Sequence, residues 1–214
     1  MPGYFPVLLD VRDKFCVVIG GGEVALRKVT TLVDRGARVR VISPDAAPGI
    51  KEMVERGMAE WEPREYQAGD LQGAFLCVAA ADDPAVNKAV GQEARESGVL
   101  ANLADDPEGS DYQVPSFFEH GPLLVAISTS GMSPAVARTL RGMIQSYLGE
   151  SFGDALSLIN DFRERVKHEI NDAKARVRFW EEAVTPELLE QVRGGDLEAV
   201  KRKLEDTLAR FKRG

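Results

Sequence analysis

Three small residues at fixed spacing carry the first chemical signal in this chain: Gly20, Gly22 and Ala25 fit G-x-G-x-x-A. In such a turn the first glycine makes the bend and the second lets a pyrophosphate approach the backbone. The small third residue lets a helix pack close to a strand. Glu23 and Val24 open that helix, where amides without internal partners and the helix dipole favour an anion. Roughly twenty residues on, where an acid usually holds the ribose of NAD, stand Ser43, Pro44 and Asp45. Asp45 would repel a 2′-phosphate, which favours NAD over NADP. The same three residues also read as a plain turn, with Asp45 capping the next helix. Ala80, at the end of the apolar run FLCVAA, is assigned to the same cofactor site.

Asp105 follows the apolar run VLANL, at an edge where a carboxylate can take a proton while a nicotinamide takes a hydride. Asp105-Asp106-Pro107 reads equally well as a solvated turn. Further along, Thr129, Ser130 and Ser133 offer hydroxyls in a Ser/Gly loop that leads into a helix carrying Arg138 and Arg141. That combination suits a carboxylate or phosphate, although a capped helix with two solvated arginines has the same spelling. His120 is a loop histidine that could be an acid, a base or neither. Cys16 and Cys77 lie in apolar runs without metal-ligand spacing, so they read as buried thiols and no metal site is expected.

These residues need elements to position them. Phe15 to Ile19 and Arg38 to Ile42 read as strands buried on both faces, with a helix between them bearing Val24, Val29, Leu32 and Val33. A helix over Ile50 to Arg56 follows, then a weak strand near Ala59 to Tyr66 that Pro63 confines to an edge. Asp82 or Asp83 caps a helix from Pro84 to Ser97, and Val99 to Leu103 is the next strand. Strands alternating with helices imply an α/β fold with a Rossmann-like parallel sheet. After Asp105 the pattern breaks. Leu123 to Ile127 reads as a strand in a small α+β unit, and the chain beyond Gly149 reads as helical. There Ile159, Phe162, Val166, Ile170, Ala173, Val177 and Trp180 recur at helical spacing, as do Leu197, Val200, Leu204, Leu208 and Phe211. The resulting division is residues 1–112, 113–149 and 150–214.

At 214 residues the chain holds one α/β domain plus a smaller appendage. A formal net charge of -7 argues against nucleic acid or an anionic membrane as the main partner. The start, MPGYFPVLLD, lacks a basic region followed by an apolar core, which predicts a cytoplasmic protein.

Taken in order, GGGEVALRK at 20–28, VAAADDPAVN at 78–87, NLADDP at 102–107, VPSFFEHGPLLVAIST at 114–129 and GMSPAVARTLR at 131–141 resemble the siroheme synthase family. More narrowly they resemble its precorrin-2 dehydrogenases. The resemblance implies an NAD-binding Rossmann domain, a small central domain that dimerises, and a helical segment. It implies oxidation of precorrin-2 to sirohydrochlorin, with Asp105 as catalytic aspartate and cofactor contacts at Glu23, Val24, Pro44 and Asp45. A polycarboxylate substrate would give the hydroxyl loop, Arg138 and Arg141 a use. Two other readings stay open: the same enzyme with ferrochelatase activity, and an NAD-sensing module without chemistry.

Overall fold

Short β-branched runs flanked by amphipathic helices pair side by side in the first half of the chain. The computed structural model describes residues 3–212, and the chain divides between Val114 and Pro115 into two units. In the first unit, β1 (Phe15–Ile19), β2 (Arg38–Ile42), β3 (Glu60–Glu62), β4 (Leu76–Ala79) and β5 (Leu100–Leu103) form a parallel sheet of order β3-β2-β1-β4-β5. The helices α1 (Glu23–Asp34), α2 (Pro48–Glu55) and α3 (Pro84–Ser97) connect them. Alternate residues of β1 enter different cores. Cys16 and Val18 pack with Ala25, Val29 and Ile50, whereas Val17 and Ile19 pack with Val90 and Ala94. That two-sided burial is why the strands are continuously apolar. The chain order reverses between β1 and β4, and a crevice opens there beyond the carboxyl ends of the strands.

In the second unit β6 (Ser116–His120) and β7 (Leu123–Ile127) pair antiparallel around the turn at Gly121 and Pro122. Five helices follow: α4 (Pro134–Leu148), α5 (Ser151–Glu169), α6 (Ala173–Ala183), α7 (Pro186–Arg193) and α8 (Leu197–Phe211). Phe162, Val166, Phe179, Leu188, Leu204 and Leu208 form the helical core. No helix among the described residues is long and apolar enough to cross a membrane.

The structure departs from the sequence reading in three places. The weak third strand spans only Glu60–Glu62, at the sheet edge, because Pro63 supplies no ladder donor. His120 is not in a loop: it closes β6, opposite Leu123. The apolar stripe through Val177 fails, for Val177 is 58% exposed. Asp172 caps a new helix, accepting from the Lys174 and Ala175 amides, and the restarted phase buries Phe179 and Ala183 instead. Within the second unit, Pro115–Gly214, α4 and α5 both pack against the β6–β7 hairpin.

Candidate functional site

The turn after β1 shows why each small residue stands where it does. Gly20 has φ +114°, and a side chain there would meet the Ala80 carbonyl at 2.2 Å. A side chain on Gly21 would meet the Asp45 carbonyl oxygen at 2.0 Å, because the Ala47 amide donates to the Gly21 carbonyl at 2.7 Å and draws the two loops together. Gly22 is different: nothing lies within 4 Å of an added Cβ. Its open side faces empty space rather than protein. Ala25 is fully buried, as close helix–strand packing requires. Gly22 is the N-cap of α1 and supplies no side-chain cap, so the first helical amides remain available to an anion.

A crevice of about 680 Å³ lies over this turn. The three glycines and Glu23 line one wall, and Ser43, Pro44 and Asp45 line a second. Glu65, Tyr66, Ala81, Asp82, Asp83 and Val86 also line the crevice. Ala80 abuts Gly20, and it is Ala81 that lines the crevice; Val24 lies on the exposed first turn of α1 outside the lining. Among the described residues no lysine or arginine lines this crevice. Any phosphate there is met by backbone amides and the helix dipole.

Neighbouring groups hold the walls. The Asp45 carboxylate accepts from its neighbour's amide, Ala46, at 2.8 Å and from Lys51 Nζ at 2.7 Å; the lysine contact above all keeps its carboxyl below the usual carboxylate range. Trp61 Nε1 donates to the Ser43 carbonyl at 3.0 Å. The Tyr66 hydroxyl donates to Glu93, which also accepts from the Leu71 amide. Burial, then that carboxylate, pushes the Tyr66 phenol up, so it stays protonated. Sequence reading missed Gly21 and Tyr66. The third glycine of the GGG run was a usable signal for the first; Tyr66 follows an edge strand of three residues and had none.

Asp105 sits just beyond β5, on the same sheet edge as the glycine turn. Parallel pairing sets Leu103 against Ala79, and the Ala104 amide donates to the Ala79 carbonyl at 2.9 Å. The turn here is built by Asp106 rather than Asp105. Asp106 Oδ1 accepts from the Gly109 amide at 2.9 Å, and Ser110 Oγ bridges the Asp106 carbonyl and the Leu103 amide. Asp105 is exposed and makes no hydrogen bond or ion pair among the described residues. It does not line the crevice.

In the second unit the hydroxyl loop is organised by its own backbone. Thr129 Oγ1 accepts from the Ser133 amide at 3.0 Å, and Ser133 Oγ caps α4 by accepting from the Val136 amide at 3.3 Å. Ser130 has φ +53°, with its amide donating to Ser128 Oγ. Arg138 is exposed on α4. Arg141 Nε and His120 Nδ1 are buried without a hydrogen-bond partner.

Sheet order, open Gly22 and free helix amides together define a doubly wound dinucleotide-binding unit. A family model described as "Putative NAD(P)-binding" matches residues 7–116, about half of the chain, and another, "Sirohaem synthase dimerisation region", matches residues 151–208. The chain belongs to this NAD(P)-binding family and is homologous to siroheme synthases along nearly its whole length. It is 38% identical over 206 residues to the siroheme synthase of Chromobacterium violaceum, covering 96% of this chain. It is 41% identical over 213 residues to that of Methylococcus capsulatus, covering 98%. The chain spans 44% and 45% of those relatives. The solved structure of SirC, precorrin-2 dehydrogenase, shares the fold, with a TM-score of 0.79 at 24% identity, covering 99% of this chain and 100% of that one.

Proposed function

We propose that this chain oxidises precorrin-2 to sirohydrochlorin with NAD, as a homodimer in the cytoplasm. The observation that carries the reading is the pairing of an open glycine turn with an unengaged carboxylate, Asp105, on the same edge of one parallel sheet. Gly20, Gly22 and the first amides of α1 hold the pyrophosphate, and Ser43, Pro44 and Asp45 border the ribose. Glu23, Glu65, Asp82 and Asp83 line the crevice with no lysine or arginine among the lining residues, and Asp45 beside them is already paired with Lys51, which disfavours a 2′-phosphate and favours NAD. NAD supplies a hydride acceptor. Asp105 accepts the proton that leaves the macrocycle, so the two-electron loss is balanced. Thr129, Ser130, Ser133, Arg138, Arg141 and His120 receive the substrate's carboxylates; the unpartnered Nε of Arg141 is the kind of donor a carboxylate would satisfy.

The dimer reading is supported by an apolar stripe left uncovered on α4. Val136, Leu140, Met143 and Ile144 share one helix face, 49%, 40%, 62% and 37% exposed. The matched dimerisation region lies in the same unit. Adding precorrin-2 with NAD or NADP, and following dinucleotide reduction with the macrocycle spectrum, tests the reaction. Reduction of NAD in step with sirohydrochlorin formation is expected. Absence of both, in protein that binds NAD, would remove the dehydrogenase reading and leave the sensing module. A parallel arm with ferrous iron reads out chelation.

A further inference from the structure

Two cavities, of about 400 and 530 Å³, lie within the second unit, and both are lined by Arg163 of α5 and Trp180 of α6. Sharing these two side chains, they are treated as two lobes of one groove. The lobes differ in chemistry. Lys167 and Arg176 join the first, whereas Leu156 and Ile159 make the second apolar. Neither lobe has a carboxylate in its lining, although the chain as a whole is acidic.

Most of the cations here are already engaged. Lys167 Nζ donates to Glu164 at 2.5 Å, and Arg176 Nη1 donates to the Ile170 and Asn171 carbonyls at 2.9 and 3.0 Å, closing the end of α5. Arg163 and the Trp180 indole N–H are not: among the described residues neither has a hydrogen bond or ion pair. Trp180 is held edge-on against buried Phe179, with ring centroids 4.9 Å apart. A planar fork of donors and a fixed indole, beside an apolar lobe, suit a ligand with a carboxylate on a ring body. Each lobe alone has the size of a small-molecule site.

We propose that this groove binds a polycarboxylated tetrapyrrole, at a place wholly within the second unit and separate from the glycine-turn crevice. The choice of tetrapyrrole rests on the proposed function; the carboxylate-on-ring chemistry rests on Arg163 and Trp180 alone. A ring seated against Trp180 with a carboxylate on Arg163 would keep substrate or product on the protein outside the crevice.

The test uses the full chain with Trp61→Phe, which leaves Trp180 as its one tryptophan, and uroporphyrin as probe. Saturable quenching of Trp180 is expected, with Arg163→Gln weakening it about tenfold or more, the effect of losing a charge-assisted hydrogen bond. Arg138→Gln, on a different helix, should leave the Trp180 signal unchanged. The proposal is overturned by no saturable quenching, by equal affinity in Arg163→Gln, or by loss of the signal in Arg138→Gln. It is also overturned if Arg163→Gln converts a dimer to a monomer in sedimentation, because the groove is then covered by a second copy. Precorrin-2 oxidation by the parental chain, with Trp61 and Arg138 intact, separates the two claims: turnover without probe binding to the Trp61→Phe chain sinks the groove and keeps the dehydrogenase, and probe binding without parental turnover does the reverse.

Discussion

Two adjacent aspartates show how much a single position decides. Asp106 is spent on the turn, bonded to the Gly109 amide, whereas Asp105 is left with no partner among the described residues. Asp105→Asn keeps shape and removes basicity, so NAD affinity should hold while precorrin-2 oxidation slows by roughly a hundredfold or more, the usual contribution of a positioned base. Stopped-flow dinucleotide reduction beside equilibrium NAD titration measures both; near-parental turnover would reduce Asp105 to a bystander. The cysteines behave in the opposite way. Burial pushes the Cys16 thiol up to about 11 and the Cys77 thiol up to about 12, from an ordinary value of 9.0. Below about pH 9 both folded and unfolded chains hold these protons. Above it only the unfolded chain releases them, so stability should fall as pH rises past 9. Urea midpoints at pH 8 and pH 10 in reductant check the sign, and a midpoint that stays level would show that burial of the thiols carries no such linkage.

The element that matters most is the junction of β1 and α1, where neighbouring glycines serve different ends. A side chain on Gly22 points into open space at φ -78°, within the range any residue adopts. Gly22→Asp should therefore fold normally and lose NAD, because a carboxylate occupies and repels the phosphate position. Gly21→Ala should do the reverse damage first, since the new Cβ meets the Asp45 carbonyl at 2.0 Å. We expect its melting temperature to drop by about 3 °C or more, the shift expected for about 1 kcal/mol in a chain of this size. Calorimetry on the two variants alongside NAD titration distinguishes them. Equal melting losses would mean that Gly22 too is structural.

For the whole molecule, the uncovered stripe on α4 is the feature a lone chain leaves unresolved. If a second copy covers it, Leu140→Asp places a charge in a dry contact and should give a monomer at micromolar concentration in sedimentation. A dimer that survives the substitution would move the interface away from α4.

Strand and helix order, the dinucleotide turn and the motif resemblance were readable along the chain because each depends on local periodicity or contiguous spacing. The apolar runs of β1, β2 and β4 need only neighbours on both faces, and Gly20, Gly22 and Ala25 need only one turn. Other features depend on partners remote in sequence. Gly21 is required by a loop that arrives after β2, and Tyr66 reaches the crevice because Glu93 of α3 holds its hydroxyl. The β6 strand is set by its register with β7, which is why His120 read as a loop residue. The phase of α6 is reset by the Asp172 cap, so the helical stripe that ran through Val177 broke there. Sequence by itself determined the fold class and where a phosphate could approach. Only the tertiary structure decided which aspartate is free, which glycine is crowded and which arginine is unpartnered, because each of those is a contact between residues that the chain brings together from a distance.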